Sequence, residues 1–276
     1  MNHPAIAEAK VAVITGGASG IGLAAAMALS KRGMRICLAD LEQTALERAT
    51  KLVGGDTFGA VTDVARRESV DALRDMVFER FGQVDLLLNN AGTAGGSPKT
   101  FSGPDHWDRI IGVNLWGVVH GLQSFVPRMV KQGTPGAVIN TGSKQGLTNP
   151  PGNAAYNASK AAVRTITESL AHELRNIEGC KLTAHLLIPG FTYTGMVARA
   201  MPERPPAAWT PEQVVERLLE SLSRGEFYVI CPDNEVTTAI DHARMQWNLD
   251  DIIHNRPALS RWHPEFQDTF TRFMKA

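Results

Sequence analysis

Thr15-Gly16-Gly17-Ala18-Ser19-Gly20-Ile21-Gly22 follows the apolar run Val11–Thr15 and precedes the apolar stretch Leu23-Ala24-Ala25-Ala26-Met27-Ala28-Leu29. Glycines at 16, 20 and 22 let the backbone turn sharply and approach a pyrophosphate without Cβ clashes. A helix beginning near residue 21 aims its free N–H groups and positive dipole end at those phosphates. A glycine cluster alone says little, because loops are full of glycine. Its place between a predicted strand and a predicted helix, in a chain that continues the alternation, gives it meaning.

Working outward, strands are predicted at Val11–Thr15, Arg35–Ala39, Phe58–Val61, Val84–Asn89, Ala137–Thr141, Thr183–Ile188 and Phe227–Ile230. Helices are predicted between them at about 21–32, 41–52, 66–81, 105–132, 155–177 and 211–224. This order is that of βαβ units and a parallel sheet. Most strands are apolar on both faces, as expected where helices cover both sides. The strands and crossovers fill the chain to about residue 232, and no linker divides it. The expectation is one α/β domain over 1–232, with 233–276 packed on the same domain or at a subunit interface. Two stretches break the alternation. Residues 191–210 are rich in Pro, Met and Ala without a single period, and 233–276 carry Trp247, Ile252, Ile253, Trp262, Phe266, Phe270 and Phe273.

The bulk properties exclude several classes. The 276 residues suffice for a full core without staples. Lys plus Arg and Asp plus Glu each number 28, so the formal net charge is zero. Without long basic runs there is no electrostatic footprint for a phosphate backbone or an anionic membrane, and neither partner is expected. Cys37, Cys180 and Cys231 lie far apart in or beside apolar runs, and free Cys there behaves as a small buried hydrophobe. The eight histidines lack HExxH or paired spacing, so no metal site is expected. MNHPAIAEAK at the start lacks the pattern of a secretion signal. Apolar runs stay far below the ~18 residues needed to span a bilayer. A cytoplasmic protein is the expectation.

The second strand, RICLAD, ends at Asp40, twenty residues after Gly20. A carboxylate there accepts hydrogen bonds from ribose hydroxyls and repels a 2′-phosphate, and no Arg or Lys in the glycine loop offsets it. The alternative is a helix N-cap or a solvated turn residue. This favours NAD over NADP. Asp63-Val64 ends the third strand and Asn89-Asn90-Ala91-Gly92 the fourth, so both loops face the crevice beyond the strands' carboxyl ends. Each alone is a weak signal, since such residues also form ordinary turns.

Tyr156-Asn157-Ala158-Ser159-Lys160 opens the predicted helix 155–177. The spacing of four places Tyr156 and Lys160 on one helical face. A nearby ammonium and the positive nicotinamide of NAD⁺ both favour phenolate. Lowering a phenol by about three pKa units asks roughly 4 kcal/mol of the site. Ser143 follows the strand AVINT, where its hydroxyl can polarise a substrate oxygen. Asn114 stands among apolar residues in RIIGVNLWGVV, where a polar side chain caps, kinks, serves chemistry or is simply a satisfied buried amide.

Taken together, TGGASGIG at 15–22, Asp40, Asp63, NNAG at 89–92, Asn114, Ser143, YNASK at 156–160 and PGFTYT at 189–194 resemble the short-chain dehydrogenase/reductase family over roughly residues 9–232. The resemblance implies a Rossmann-like, doubly wound parallel sheet of seven strands in a single domain. It implies a catalytic set of Asn114, Ser143, Tyr156 and Lys160. Tyr156 exchanges the substrate proton and Ser143 orients the substrate. Lys160 holds the nicotinamide ribose and acidifies Tyr156, and Asn114 supports a water that relays protons. Cofactor contacts are implied at Gly16, Ser19, Gly20, Ile21, Gly22, Asp40, Asp63, Val64, Asn90, Ala91, Gly92, Tyr156, Lys160, Pro189, Gly190, Thr192 and Thr194. Thr194 meets the carboxamide, and Ile188-Pro189-Gly190 line the ring.

The expected function is hydride transfer between a secondary alcohol or ketone and NAD(H), in a homodimer or homotetramer. The alternatives are an NADPH-linked 3-oxoacyl or carbonyl reductase, and a non-catalytic nucleotide-sensing member of the fold. By the same resemblance 191–210 lie where the family has a mobile lid, with an ordered surface loop as the alternative. Together with Lys144, Gln145, Asn149 and Pro150 this segment is expected to set specificity. A bulky or aryl alcohol is the modest preference for substrate.

Overall fold

The computed structural model describes residues 3–95, 99–198 and 201–275. Seven strands, β1 (Val11–Thr15), β2 (Arg35–Asp40), β3 (Thr57–Val61), β4 (Leu86–Asn89), β5 (Gly136–Thr141), β6 (Leu182–Ile188) and β7 (Tyr228–Ile230), form one sheet. Its order is β3-β2-β1-β4-β5-β6-β7, and every pair is parallel. The direction of winding reverses between β1 and β4, which opens a crevice beyond their carboxyl ends.

Alternation along the strands feeds two cores. Val11, Val13, Leu87 and Val138 point to the face covered by α3 (Arg67–Phe81), α5 (Gly117–Gln132) and α7 (Ala154–Arg175). Ala12, Ile14, Leu88 and Ile139 point to the face covered by α1 (Gly20–Ser30), α2 (Gln43–Val53) and α9 (Pro211–Ser223). Cys37 and Cys231 are fully buried in these layers, and burial pushes both thiols up, Cys231 to about 12.

Element ends differ from the sequence reading by one or two residues, as fraying ends do. One difference is substantive. The helix expected over 105–132 is α4 (Pro104–Ile111), a π-helical turn at Gly112–Trp116, then α5. The π turn, a common device at functional sites, contains Asn114 and seats Gly117 on Val64, 2.8 Å from where a Cβ would stand.

The two irregular stretches are ordered where described. Residues 191–210 contain the short α8 (Gly195–Ala198) and a bridge between Thr192 and Trp209, while Arg199 and Ala200 lie outside the described residues. After β7 come α10 (Thr238–Ile253), two single 3₁₀ turns and α11 (Gln267–Phe273). Trp247 anchors this tail: its Nε1 donates to Ser260 Oγ at 2.8 Å, and Phe270 and Phe273 pack on its ring at 5.2 Å. A further short helix, α6 (Gln145–Thr148), lies between β5 and α7. Among the described residues no helix is long and apolar enough to cross a membrane.

Candidate active site

The glycine loop occupies the switch point. Gly16 has φ +62° and Gly20 has φ +52°, a region that favours glycine. A Cβ on Gly16 would lie 2.9 Å from Ala91 Cα, so the loops after β1 and β4 touch. Thr15 Oγ1 locks them, accepting from the main-chain N–H groups of Asn90 (3.0 Å) and Ala91 (3.1 Å). Asn90 Nδ2 in turn donates to the carbonyl oxygen of Thr15 at 3.1 Å. Gly22 is compulsory, because a Cβ there would meet Gly16 O at 2.2 Å.

These features fit a dinucleotide. Ser19 at the N-cap makes no side-chain hydrogen bond to the first turn of α1, which also carries no acidic residue, so its N–H groups suit an anion. A Cβ on Gly20 would stand 3.2 Å from Thr194 Cγ2, which brings the loop after β6 over the glycine loop. Ile21 is half-buried at the head of α1. Asp40 Oδ2 accepts from Ala18 N at 3.0 Å and Oδ1 from Leu41 N at 2.8 Å, so the carboxylate is fixed beside the phosphate cradle.

Other expected cofactor residues serve their own loops as well. Asp63 Oδ1 accepts from Ala65 N at 3.0 Å. The Val64 side chain is buried against Gly117 in the core, and its carbonyl oxygen lies 2.9 Å from His120 Nδ1. Thr192 is buried and donates to Gly190 O at 3.2 Å. Pro189 O accepts from Lys144 N at 3.3 Å.

Of the four residues expected to act in catalysis, Asn114 and Lys160 meet at Gly92. Asn114 Oδ1 lies 3.5 Å, and Lys160 Nζ 3.8 Å, from where a Cβ on Gly92 would stand. Asn114 is fully buried: its Oδ1 accepts from Thr93 N at 2.8 Å, and its Nδ2 donates to Thr93 O at 2.9 Å and Ser159 Oγ at 3.2 Å. Lys160 Nζ donates to Thr141 O at 2.8 Å and lies 5.8 Å from the centre of the Tyr156 ring. Tyr156 stands in the first turn of α7, and the nearby Ser143 hydroxyl favours its phenolate.

Burial adds an electrostatic effect that the sequence does not show. It raises the Tyr156 phenol above its ordinary value, and the Ser143 hydroxyl opposes that rise. Burial also lowers Lys160, to about 8. The chain by itself therefore does not make Tyr156 acidic. Desolvation dominates the phenol, while the Lys160 ammonium, held at Thr141 O, stands over the Tyr156 ring 5.8 Å from its centre.

Sequence reasoning overlooked Thr15, Thr93 and Thr141, which hold the site through main-chain contacts. Thr15 and Thr141 both end strands that point into the crevice, and that position was the available signal.

Comparison with known proteins agrees with this geometry. The family model for short chain dehydrogenases matches residues 10–205. A Mycobacterium tuberculosis protein, SadH, classed as an oxidoreductase, is 41% identical over 170 residues, 60% of this chain and 61% of that one, so the chain spans about 61% of the length of this relative. A solved short chain dehydrogenase/reductase from Burkholderia phymatum, in complex with NAD, superposes with a TM-score of 0.82 at 33% identity, covering 91% of this chain and 97% of that one. A 3-ketoacyl-(acyl-carrier-protein) reductase from Brucella melitensis, complexed with NADH, gives a TM-score of 0.72 at 28% identity, covering 78% and 91%. The nicotinamide-nucleotide crevice, the Ser143–Tyr156–Lys160 arrangement and these likenesses converge: the chain belongs to the short-chain dehydrogenase/reductase family of oxidoreductases.

Proposed function

We propose that this protein transfers a hydride reversibly between a secondary alcohol or ketone and NAD(H), with Tyr156 as general acid and base. One observation carries the reading: Lys160 Nζ stands over the Tyr156 ring and adjoins the glycine loop through Gly92, Ala91 and Gly16. When bound, the nicotinamide ring supplies the hydride donor or acceptor and, when oxidised, a positive charge beside the phenol.

The chain's residues do the rest. Tyr156 takes the alcohol proton in oxidation and returns it in reduction. Ser143 donates a hydrogen bond to the substrate oxygen, where negative charge develops. The N-terminal dipole of α7 favours the phenolate in its first turn. The Lys160 ammonium would hold the nicotinamide ribose of a bound cofactor, and from over the Tyr156 ring it adds its field. Asn114 Oδ1 and Lys160 Nζ flank the same point at Gly92, and a water held there would relay protons outward. Asp40 selects NAD, its fixed carboxylate accepting ribose hydroxyls and repelling a 2′-phosphate. The exposed Leu249, Ile252 and Ile253 on α10 support assembly into a homo-oligomer, readable by light scattering.

Two measurements test the reading. Wild-type kcat/KM should be higher with NAD than with NADP, and Asp40→Ser should narrow the gap; a preference for NADP removes the Asp40 argument. Tyr156→Phe should bind NADH nearly as wild type and lose turnover on a panel of secondary alcohols. Near-wild-type turnover in that variant removes Tyr156 from the mechanism. Reduction of a 3-oxoacyl thioester is the second reading, favoured by the likeness to the Brucella reductase. Including such a thioester in the panel separates the two.

A further inference from the structure

We propose that Asp241, in the C-terminal extension, is a positioning residue for Ser143 and acts through Lys144. This rests on the role given to Ser143 above. Lys144 immediately follows Ser143, and its ammonium lies 2.6 Å from Asp241 Oδ2 and 3.5 Å from Asp233 Oδ2. The three side chains are 15%, 6% and 7% exposed. This is a buried ionic knot and not a surface pair, which would be worth little.

The knot joins three segments. Asp233 Oδ2 also accepts from Phe191 N at 3.5 Å, and Asp233 Oδ1 accepts from Val236 N at 2.7 Å. Lys144 N donates to Pro189 O, which ties the same residue to the loop expected to line the nicotinamide. A Cβ on Gly190 would lie 2.9 Å from Lys144 Nζ, so the glycine makes room for the ammonium. Asp241 stands in the first turn of α10, where the helix dipole favours its charge.

A second grip comes from the same helix face. Asn248, two turns beyond Asp241, donates from Nδ2 to Leu147 O at 3.2 Å. On its other side the segment is pressed flat against α7, since a Cβ on Gly146 would meet the main-chain carbon of Lys160 at 2.6 Å. The segment 143–148 is thus clamped between the extension and the helix that carries Tyr156 and Lys160. Ser143 Oγ accepts from Gln145 N at 3.2 Å, so the hydroxyl's direction follows that turn. Loosening the clamp displaces the hydroxyl, and displacements near 1 Å cost up to about a hundredfold in rate.

The choice of variant follows from the charges. Lys144→Met would leave Asp233 and Asp241 facing each other, and burial already disfavours the charged form of Asp241. Asp241→Asn leaves the ammonium paired with Asp233, so the fold is retained.

The experiment compares wild type, Asp241→Asn and Asp241→Glu in full-length protein. Asp241→Asn should lower kcat roughly tenfold, with the KM for NAD and the Kd for NADH within twofold of wild type, and Asp241→Glu should recover most of the loss. Unchanged kcat, or a parallel loss of NADH affinity, overturns the proposal. Amide hydrogen exchange supplies a readout independent of turnover. Residues 142–148 and 190–192 should exchange faster in Asp241→Asn while 11–30 stay protected, and identical exchange in all three segments overturns the clamp. A wild type without turnover on any alcohol or ketone defeats the hydride-transfer reading instead, and the exchange result then decides the clamp alone.

Discussion

The ammonium of Lys160 donates to the main-chain oxygen of Thr141 across 2.8 Å, with the lysine only 4% exposed. Burial brings its pKa from 10.5 to about 8. Below about pH 8 the lysine is charged in both folded and unfolded chains, and the folded state carries the whole desolvation cost. Between about 8 and 10.5 the unfolded chain holds more protons, so stability rises with pH. The gap corresponds to about 3 kcal/mol. Lys160→Met removes that cost and leaves Thr141 O without its donor, worth about 1 kcal/mol. At pH 7 the variant should melt a few degrees higher than wild type while losing turnover, and the advantage should shrink by pH 10. A lower Tm at pH 7 would show that the ammonium is net stabilising.

Asn114 grips Thr93 at both main-chain atoms and Ser159 at the hydroxyl, and its Oδ1 keeps a second lone pair. Asn114→Ala leaves the N–H and C=O of Thr93 without their partner in a half-buried setting, at about 1 kcal/mol. The denaturation midpoint should fall accordingly. Turnover should fall further than stability predicts, because Thr93 adjoins Gly92 and Lys160. Cofactor affinity measured by NADH fluorescence should change little, since the glycine loop is held separately by Thr15. A variant with unimpaired kcat would reduce Asn114 to a structural amide.

The strands were legible because their alternation is simple. Val11 and Val13 serve one core and Ala12 and Ile14 the other, so every position of β1 is apolar or small, as a doubly covered strand must be. The glycine loop was legible because Gly16, Gly20 and Gly22 each answer a local backbone need. The π turn was not. Gly112 opens it and Gly117 follows it, yet helical period continues through Val113 and Trp116, and the contact of Gly117 comes from Val64 on another segment. The ion pair between Lys144 and Asp241 was likewise invisible, because it joins residues far apart in sequence that only the tertiary fold brings within 2.6 Å. The burial of Tyr156 was hidden for a related reason. Spacing gives proximity to Lys160, whereas burial, which dominates the phenol, depends on everything packed around it.

Asp85 is a structural counterpart at the opposite end of the sheet. It is fully buried, pairs with Lys10 at 2.8 Å and accepts from Val11 N at 2.9 Å, joining β1 to the residue just before β4. Asp85→Ala orphans the Val11 N–H and leaves Lys10, whose side chain is 26% exposed, without its partner. Loss of a partner in a buried pair costs about 3–5 kcal/mol, and the exposure of Lys10 places this variant near the lower end. The urea midpoint should fall at an unchanged m-value. At low temperature kcat should equal wild type, since the site lies at the carboxyl ends of the strands. A selective loss of kcat in folded protein would mean that strain crosses the sheet.

His3 and His185 share one hydroxyl, and their tautomers follow from the partners. His3 Nδ1 accepts from Ala5 N at 3.2 Å, so the neutral ring donates from Nε2 to Thr183 Oγ1, 3.1 Å away. His185 Nδ1 faces Glu226 O at 2.8 Å and carries the hydrogen, which leaves its Nε2 to accept from the same hydroxyl at 2.8 Å. Protonating either ring puts a hydrogen where an acceptor is needed, and the rings are 5.7 Å apart. Burial lowers both, His3 to about 4, with the neighbouring imidazole adding to the fall. Above pH 6.5 the rings are neutral whether folded or not, and the stability they allow is fully present. As pH drops from 6.5 toward about 4 the unfolded chain takes up protons first, so stability is lost across that window. For His3 the loss reaches about 3 kcal/mol at the lower limit and about 2 kcal/mol at pH 5. Urea midpoints measured from pH 7 to pH 5 should fall more steeply for wild type than for His3→Gln, which has no ring to protonate. Parallel slopes would mean that His3 titrates as a solvated histidine, and the shared-hydroxyl arrangement would then be wrong.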